Sequence, residues 1–136
     1  MPFMVWTDDL SVGVAVLDED HKHLVALANQ LHAGILEGHG KESLESVLGE
    51  LASYIQFHFA REEAMFAETG YPLTDEHRHE HEQLARRVVN LQGRYAQGAL
   101  PSLSIETMNF LRGWLLVHIQ GSDKKYGPHL NSSGIH

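Results

Sequence analysis

Seven side chains of this 136-residue chain are of the types and spacings that could converge on a pair of metal ions. They are His21, His58 with Glu62, His77 with His81, and His118 with Asp123. Neutral imidazole is the commonest protein metal ligand, and a carboxylate offers two oxygens to neighbouring cations. His58 and Glu62 are four residues apart and share one helix face, as do His77 and His81. His118 and Asp123 are five apart, which a regular α-helix splays by roughly 140°. Gly121 and Ser122 lie between them, so the turn there can deform or begin anew and redirect Asp123. Taken singly these signals are weak, because a histidine pair at helical spacing is often surface decoration and a lone inward histidine is usually a core residue.

The elements that must carry these residues are four amphipathic helices separated by Gly/Pro punctuation. The first spans about 18–37, with Leu24, Ala28, Leu31 and Ile35 one turn apart. Asp18 is its expected N-cap, and Gly38 and Gly40 its stop. The second spans about 41–68 along Leu44, Leu48, Leu51, Ile55, Phe59 and Phe66, stopped by Gly70 and Pro72. The third spans about 74–97 along Leu84, Val88, Leu91 and Tyr95, closed by Gly98 and Pro101. The fourth spans about 104–121 along Met108, Leu111 and Leu115.

Short connections make neighbouring helices antiparallel, which predicts an all-α, up-down-up-down four-helix bundle. Residues 1–17 read as an N-terminal extended arm laid along the bundle with Trp6 as its anchor, and 1–136 reads as one domain. Each candidate ligand continues the apolar stripe of its helix, so the ligands point inward. His21 stands near the start of helix one, His58 and Glu62 toward the end of helix two, His77 and His81 at the start of helix three, and His118 and Asp123 at the end of helix four. In this topology those four regions meet at one end, where clustered imidazoles and carboxylates need metal to be tolerated in burial.

The formal net charge of -8 argues against nucleic acid or an anionic membrane surface as partner. No cysteine is present, which excludes disulfides, zinc–thiolate sites and thiolate-held iron–sulfur clusters. The N-terminal MPFMVWTDDL lacks a basic start and a signal-length apolar core, and the apolar run 114–119 is too short to span a bilayer. A soluble, cytoplasmic protein is expected. Of the 11 histidines, His23, His32, His39, His79, His129 and His136 read as surface or loop, with His32 close enough to the inward stripe to be buried. Glu80, Glu82, Arg86 and Arg87 read as solvated charge. Asp18 or Asp20 could orient His21 from behind.

Seven ligands suit two ions, and five nitrogens with two bridging carboxylates favour iron over manganese or zinc. A zinc peptidase would need H-E-x-x-H, which is absent, and a ferritin-like oxidase would need two Glu-x-x-His motifs. Only Glu76-x-x-His79 occurs, and His79 points about 200° away from His77. An imidazole-rich, carboxylate-poor pair resists high-valent iron, a tendency toward reversible oxygen binding rather than oxygen activation.

At these residues the chain resembles hemerythrin, specifically the single-domain bacterial hemerythrins, over nearly its whole length. The motifs are D-E-D-H ending at His21, H-F-A-R-E-E from His58, H-x-x-x-H from His77, and H-I-Q-G-S-D from His118 followed by K-K-Y-G-P. The resemblance implies two iron ions bridged by an oxo or hydroxo group. One would be held by His77, His81 and His118 and be coordinatively full. The other would be held by His21 and His58 with one position open for oxygen, and Glu62 and Asp123 would bridge both. By the same analogy Leu24, Phe59, Trp114, Leu115 and Ile119 would line an apolar oxygen pocket, although residues at such spacing are core in most proteins. The implied function is oxygen storage, transport or delivery to an oxygen-consuming recipient protein, not catalysis. A sensor acting through a separate partner is the first alternative. A diiron enzyme reducing peroxide or nitric oxide is the second, weakened because no general acid has an obvious place in the pocket. Iron storage is poorly served by one small bundle without a cage.

Overall fold

A computed structural model describes residues 3–98 and 101–136, so the first two residues of the expected arm lie outside it. A short 3-10 turn, Asp8–Leu10, precedes α1 (Ala15–Leu36), α2 (Gly40–Thr69), α3 (Thr74–Gln97) and α4 (Pro101–Trp114). A π-helical segment, Leu115–Asp123, then leads without a break into α5 (Lys124–Ser132). Helix α1 packs on α2 and α4, α2 on α3, and α3 on α4, which is the expected up-down-up-down bundle.

Two glycines make the reversals possible. Gly38 (φ +80°) and Gly70 (φ +67°) adopt the left-handed conformation that side chains with a Cβ avoid, and they end α1 and α2. The stripes read from the sequence form the core: Leu24, Ala28, Leu31, Leu44, Leu48, Leu51, Ile55, Phe66, Val88, Leu91, Leu111 and Leu115 are all buried. Full burial of such a side chain contributes about 1.5–3 kcal/mol, offset largely by chain entropy.

Four boundaries differ from the sequence reading. Helix α1 begins at Ala15, and Asp18 does not cap it. Its carboxylate instead accepts hydrogen bonds from Ser11 Oγ (2.6 Å) and the Val12 amide (2.8 Å), clamping the arm to the first turn. Gly40 opens α2 rather than ending α1, since Gly38 completes the reversal alone. Pro101 opens α4, a position where its missing N–H costs nothing, rather than closing α3. The fourth helix does not end near 121, because the π segment and α5 carry it to Ser132.

The arm ends at Val14 and is fixed by buried Met4, Leu10, Val12 and Val14, while Trp6 is only half-buried beneath the Lys22 ammonium. Asn29 holds Met4 in both directions, accepting from its amide (2.7 Å) and donating to its carbonyl (2.8 Å). The arm lies directly against α5, where any Cβ at Gly127 would collide with the Val12 carbonyl. Gly127→Ala is therefore expected to lower stability by about 1–3 kcal/mol, read by chemical denaturation. An unchanged midpoint would mean that the arm and α5 are not in contact.

Candidate metal centre

The bundle brings all seven candidate ligands to one end and buries every one of them. Histidines 58, 77 and 81 and Glu62 reach it from ordinary α-helical turns. The five-residue spacing of His118 and Asp123 is accommodated by the π segment itself. With i→i+5 hydrogen bonding, residues five apart take the mutual relation that residues four apart have in an α-helix. The deformation anticipated between these two residues is thus a π-helix, not a fresh start of the chain.

The seven form two sets whose ligating atoms lie within 4.8 Å of one another: Glu62, His77, His81 and His118, and His21, His58, Glu62 and Asp123. Each carboxylate presents one oxygen to each set. Glu62 Oε1 lies 3.0 Å from His81 Nε2 and 3.6 Å from His77 Nε2, while Oε2 lies 3.4 Å from His58 Nε2 and 3.8 Å from His21 Nε2. Asp123 Oδ1 lies 2.9 Å from His77 Nε2 and 3.0 Å from His118 Nε2, while Oδ2 lies 3.1 Å from His21 Nε2. Two imidazole nitrogens, His21 Nε2 and His58 Nε2, face each other at 3.0 Å.

Close as they are, Nε2 of His77, His81 and His118, Glu62 Oε1 and both Asp123 oxygens are buried without a hydrogen-bond partner. Buried polar atoms left this way are costly, and here they all face a common interior. Five imidazole nitrogens and two bridging carboxylates fit a pair of first-row divalent ions, so the residues present suit a dinuclear metal centre.

A second layer holds the ligands. His58 Nδ1 pairs with Asp20 Oδ2 at 2.9 Å, and His81 Nδ1 with Glu63 Oε2 at 3.0 Å. Arg78 supports Glu63 (2.9 Å), and Ser122 Oγ donates to Glu80 Oε1 (2.7 Å), the same oxygen that stands 3.8 Å from His118 Nδ1. Tyr126 donates from α5 to Glu62 Oε2 at 2.5 Å. Asp20 therefore serves His58, not its neighbour His21, because adjacent helical residues point about 100° apart and Asp20 faces α2. Glu80 is part of this layer rather than solvated charge. His129 is half-buried on α5 against Thr69 (3.0 Å to its carbonyl), and His32 is half-buried against Phe3, while His79 is exposed as expected. None of Tyr126, Glu63, Glu80 and Ser122 is read from the sequence as supporting a ligand: Glu80 reads there as solvated charge and Ser122 only as part of a deformable turn. Tyr126 sits three residues after Asp123 in K-K-Y-G-P, a signal visible only once the helix is known to continue.

Leu24, Phe59, Trp114, Leu115 and Ile119 are all buried. Phe59 stacks face to face on His81 (3.8 Å between centroids) and meets Trp114 edge-on at 6.1 Å. Both aromatics thus side with the three-histidine set more than with His21 and His58.

Charge is balanced within the centre. Burial alone would push His58 down, but Glu62, Asp20 and Asp123 outweigh it and hold the imidazole up to about 10. Burial likewise opposes protonation of His77, and Asp123 and Glu62 hold it up to about 9. His21 is raised in the same manner by the same two carboxylates. Glu62 and Asp123 are lowered despite burial by the histidines around them.

The metal-free folded chain therefore binds more protons than the unfolded chain between the ordinary histidine value of 6.5 and about 10. Its stability should fall as pH rises through that window, and also fall under acid as Glu62 and Asp123 protonate. Metal uptake at pH 7 should release protons, measurable with an indicator dye, because ligating imidazoles must be neutral. Uptake without proton release would contradict this charge assignment.

The family model described as "Hemerythrin HHE cation binding domain" matches residues 12–130. The bacteriohemerythrin of Stenotrophomonas maltophilia (strain R551-3) is 33% identical over 135 residues, covering 96% of this chain and 86% of its own. That of Methylococcus capsulatus (strain ATCC 33009 / NCIMB 11132 / Bath) is 32% identical over 133 residues, covering 97% and 100%. A crystal structure of wild-type hemerythrin superposes with a TM-score of 0.80 at 29% identity, covering 94% of this chain and 98% of that one. By fold, ligand constellation and sequence, the chain belongs to the hemerythrin family.

Proposed function

We infer that this chain binds dioxygen reversibly at a non-heme diiron centre and serves oxygen storage, transport or delivery. The observation that carries the reading is the pair of buried carboxylates, each offering one oxygen to a two-histidine and one to a three-histidine set. An iron pair held there would supply the reversible two-electron redox chemistry that dioxygen binding and release need.

In this reading His77, His81 and His118 would hold one ion and His21 and His58 the other, which would have one fewer imidazole, and Glu62 and Asp123 would serve both. Tyr126 fixes the rotamer of Glu62, so the bridge stays directed at both sides. The buried Leu24, Phe59, Trp114, Leu115 and Ile119 would form an apolar wall that keeps water and stray protons from the centre, with Phe59 and Trp114 on its three-histidine side. Catalysis would need a proton donor at the centre. The Tyr126 phenol is committed as a donor to Glu62. That favours a binder over an enzyme.

The described residues then act as a single hemerythrin-like domain in the cytoplasm, passing oxygen to a consuming partner protein. No helix among them is long and apolar enough to cross a membrane. The acidic charge of -8 disfavours nucleic acid and anionic lipid surfaces as partners.

The direct test is optical. Iron-loaded protein reduced without air should gain a charge-transfer band on adding oxygen and lose it, with recovery of the diferrous form, on purging with inert gas. Rapid irreversible oxidation would instead support the redox enzyme or sensor. Ile119→Glu should speed autoxidation severalfold by admitting water and a proton donor to the apolar wall, measured as decay of the oxygenated spectrum. An unchanged rate would remove Ile119 from the pocket wall.

A further inference from the structure

We propose that Tyr54 is a positioning residue for the two-histidine half of the centre, acting through Asp20 to hold His58. The proposal rests on the reading above, in which His58 ligates a metal ion through Nε2.

His58 is held at both ring nitrogens: Nε2 faces the centre, and Nδ1 meets Asp20 Oδ2 at 2.9 Å. Asp20 is itself fixed through its other oxygen. Oδ1 accepts from the Tyr54 hydroxyl at 3.0 Å and stands 3.5 Å from Arg61 Nη1. With donors on both oxygens this buried carboxylate cannot swing without losing a partner, so the plane of the His58 ring is set from α2 and α1 together. The Tyr54 ring is in turn packed against His23 (4.1 Å between centroids, 31° between planes), and the Arg61 guanidinium lies over Phe57 at 4.4 Å. Burial and the bond to Asp20 push the Tyr54 phenol up to about 12, which makes it a permanent donor at working pH.

The other half is built differently. There His81 leans on Glu63, whose side chain is 27% exposed and whose partner Arg78 is 58% exposed. Water can replace such a partner, and His77 and His118 share the load on that side. In the two-histidine half no third imidazole shares the load, and the brace itself is buried: the Asp20 side chain is 5% exposed against 27% for Glu63, and it is anchored through both oxygens. Orienting partners behind a metal-bound histidine are commonly worth 10–100-fold in metal affinity.

The test is cobalt(II) titration of the metal-free protein and of Tyr54→Phe, followed by visible absorption and calorimetry. The variant should bind one ion with unchanged affinity and the second about tenfold more weakly. The thermal midpoint of its metal-free form should stay near that of the parent. In the cobalt-loaded parent, the hyperfine-shifted Nδ1 proton of His58 should exchange slowly with solvent, and Tyr54→Phe should speed that exchange. Two ions bound as in the parent with the Nδ1 proton unchanged, or both ions weakened alike, would overturn the role of Tyr54. A parent chain that binds fewer than two ions would instead overturn the dinuclear reading beneath it, and the proposal with it.

Discussion

Burying five imidazoles and two carboxylates at one end of a small bundle is the constraint on which the rest of this structure depends. Removing such groups from water is costly unless each finds a partner. Here several ligating atoms have only each other, at distances of 2.9–3.6 Å and without hydrogen-bond geometry. A pair of cations would satisfy all of them together. Without metal Glu62 and Asp123 favour the protonated forms of His21, His58 and His77, so the stability of the metal-free chain depends on pH.

The apolar core below the centre carries this cost and also shapes the chemistry. Leucine and isoleucine stripes hold four helices in register, so ligands from α1, α2, α3 and the π segment arrive at one level. The π segment is the structural concession to the site. A regular helix would turn Asp123 away from His118, whereas the widened turn aligns them and then lets α5 continue in line. That continuation places Tyr126 against Glu62 and closes the end of the bundle through Leu130 and the arm.

Much of this is legible in the sequence because the relevant signals are local. Helical spacing gave the stripes, Gly38 and Gly70 marked real reversals, and the positions of the seven ligands along four helices already implied a common end. What was not legible depends on relations between elements. Asp18 has the composition of a cap, yet its carboxylate is drawn to Ser11 and Val12 once the arm folds back. Asp20 is adjacent to His21 in sequence, but helix geometry turns it toward His58. Glu63 and Glu80 look like surface charge until the packing of α2, α3 and the π segment sets them behind histidines. Trp6 promised an anchor by size, whereas smaller residues of the arm are the ones that reach the core. The Gly-Ser step after His118 resembled a helix end, because composition does not distinguish a stop from a π turn.

The claim at the centre of this account is that Glu62 and Asp123 join two ions into one unit. Low-temperature magnetic measurement of the fully oxidised, iron-loaded protein, with its iron content, tests it most directly. Two irons per chain, coupled to a diamagnetic ground state through their bridges, are predicted. One iron per chain, or two irons that behave as independent high-spin centres, would contradict it.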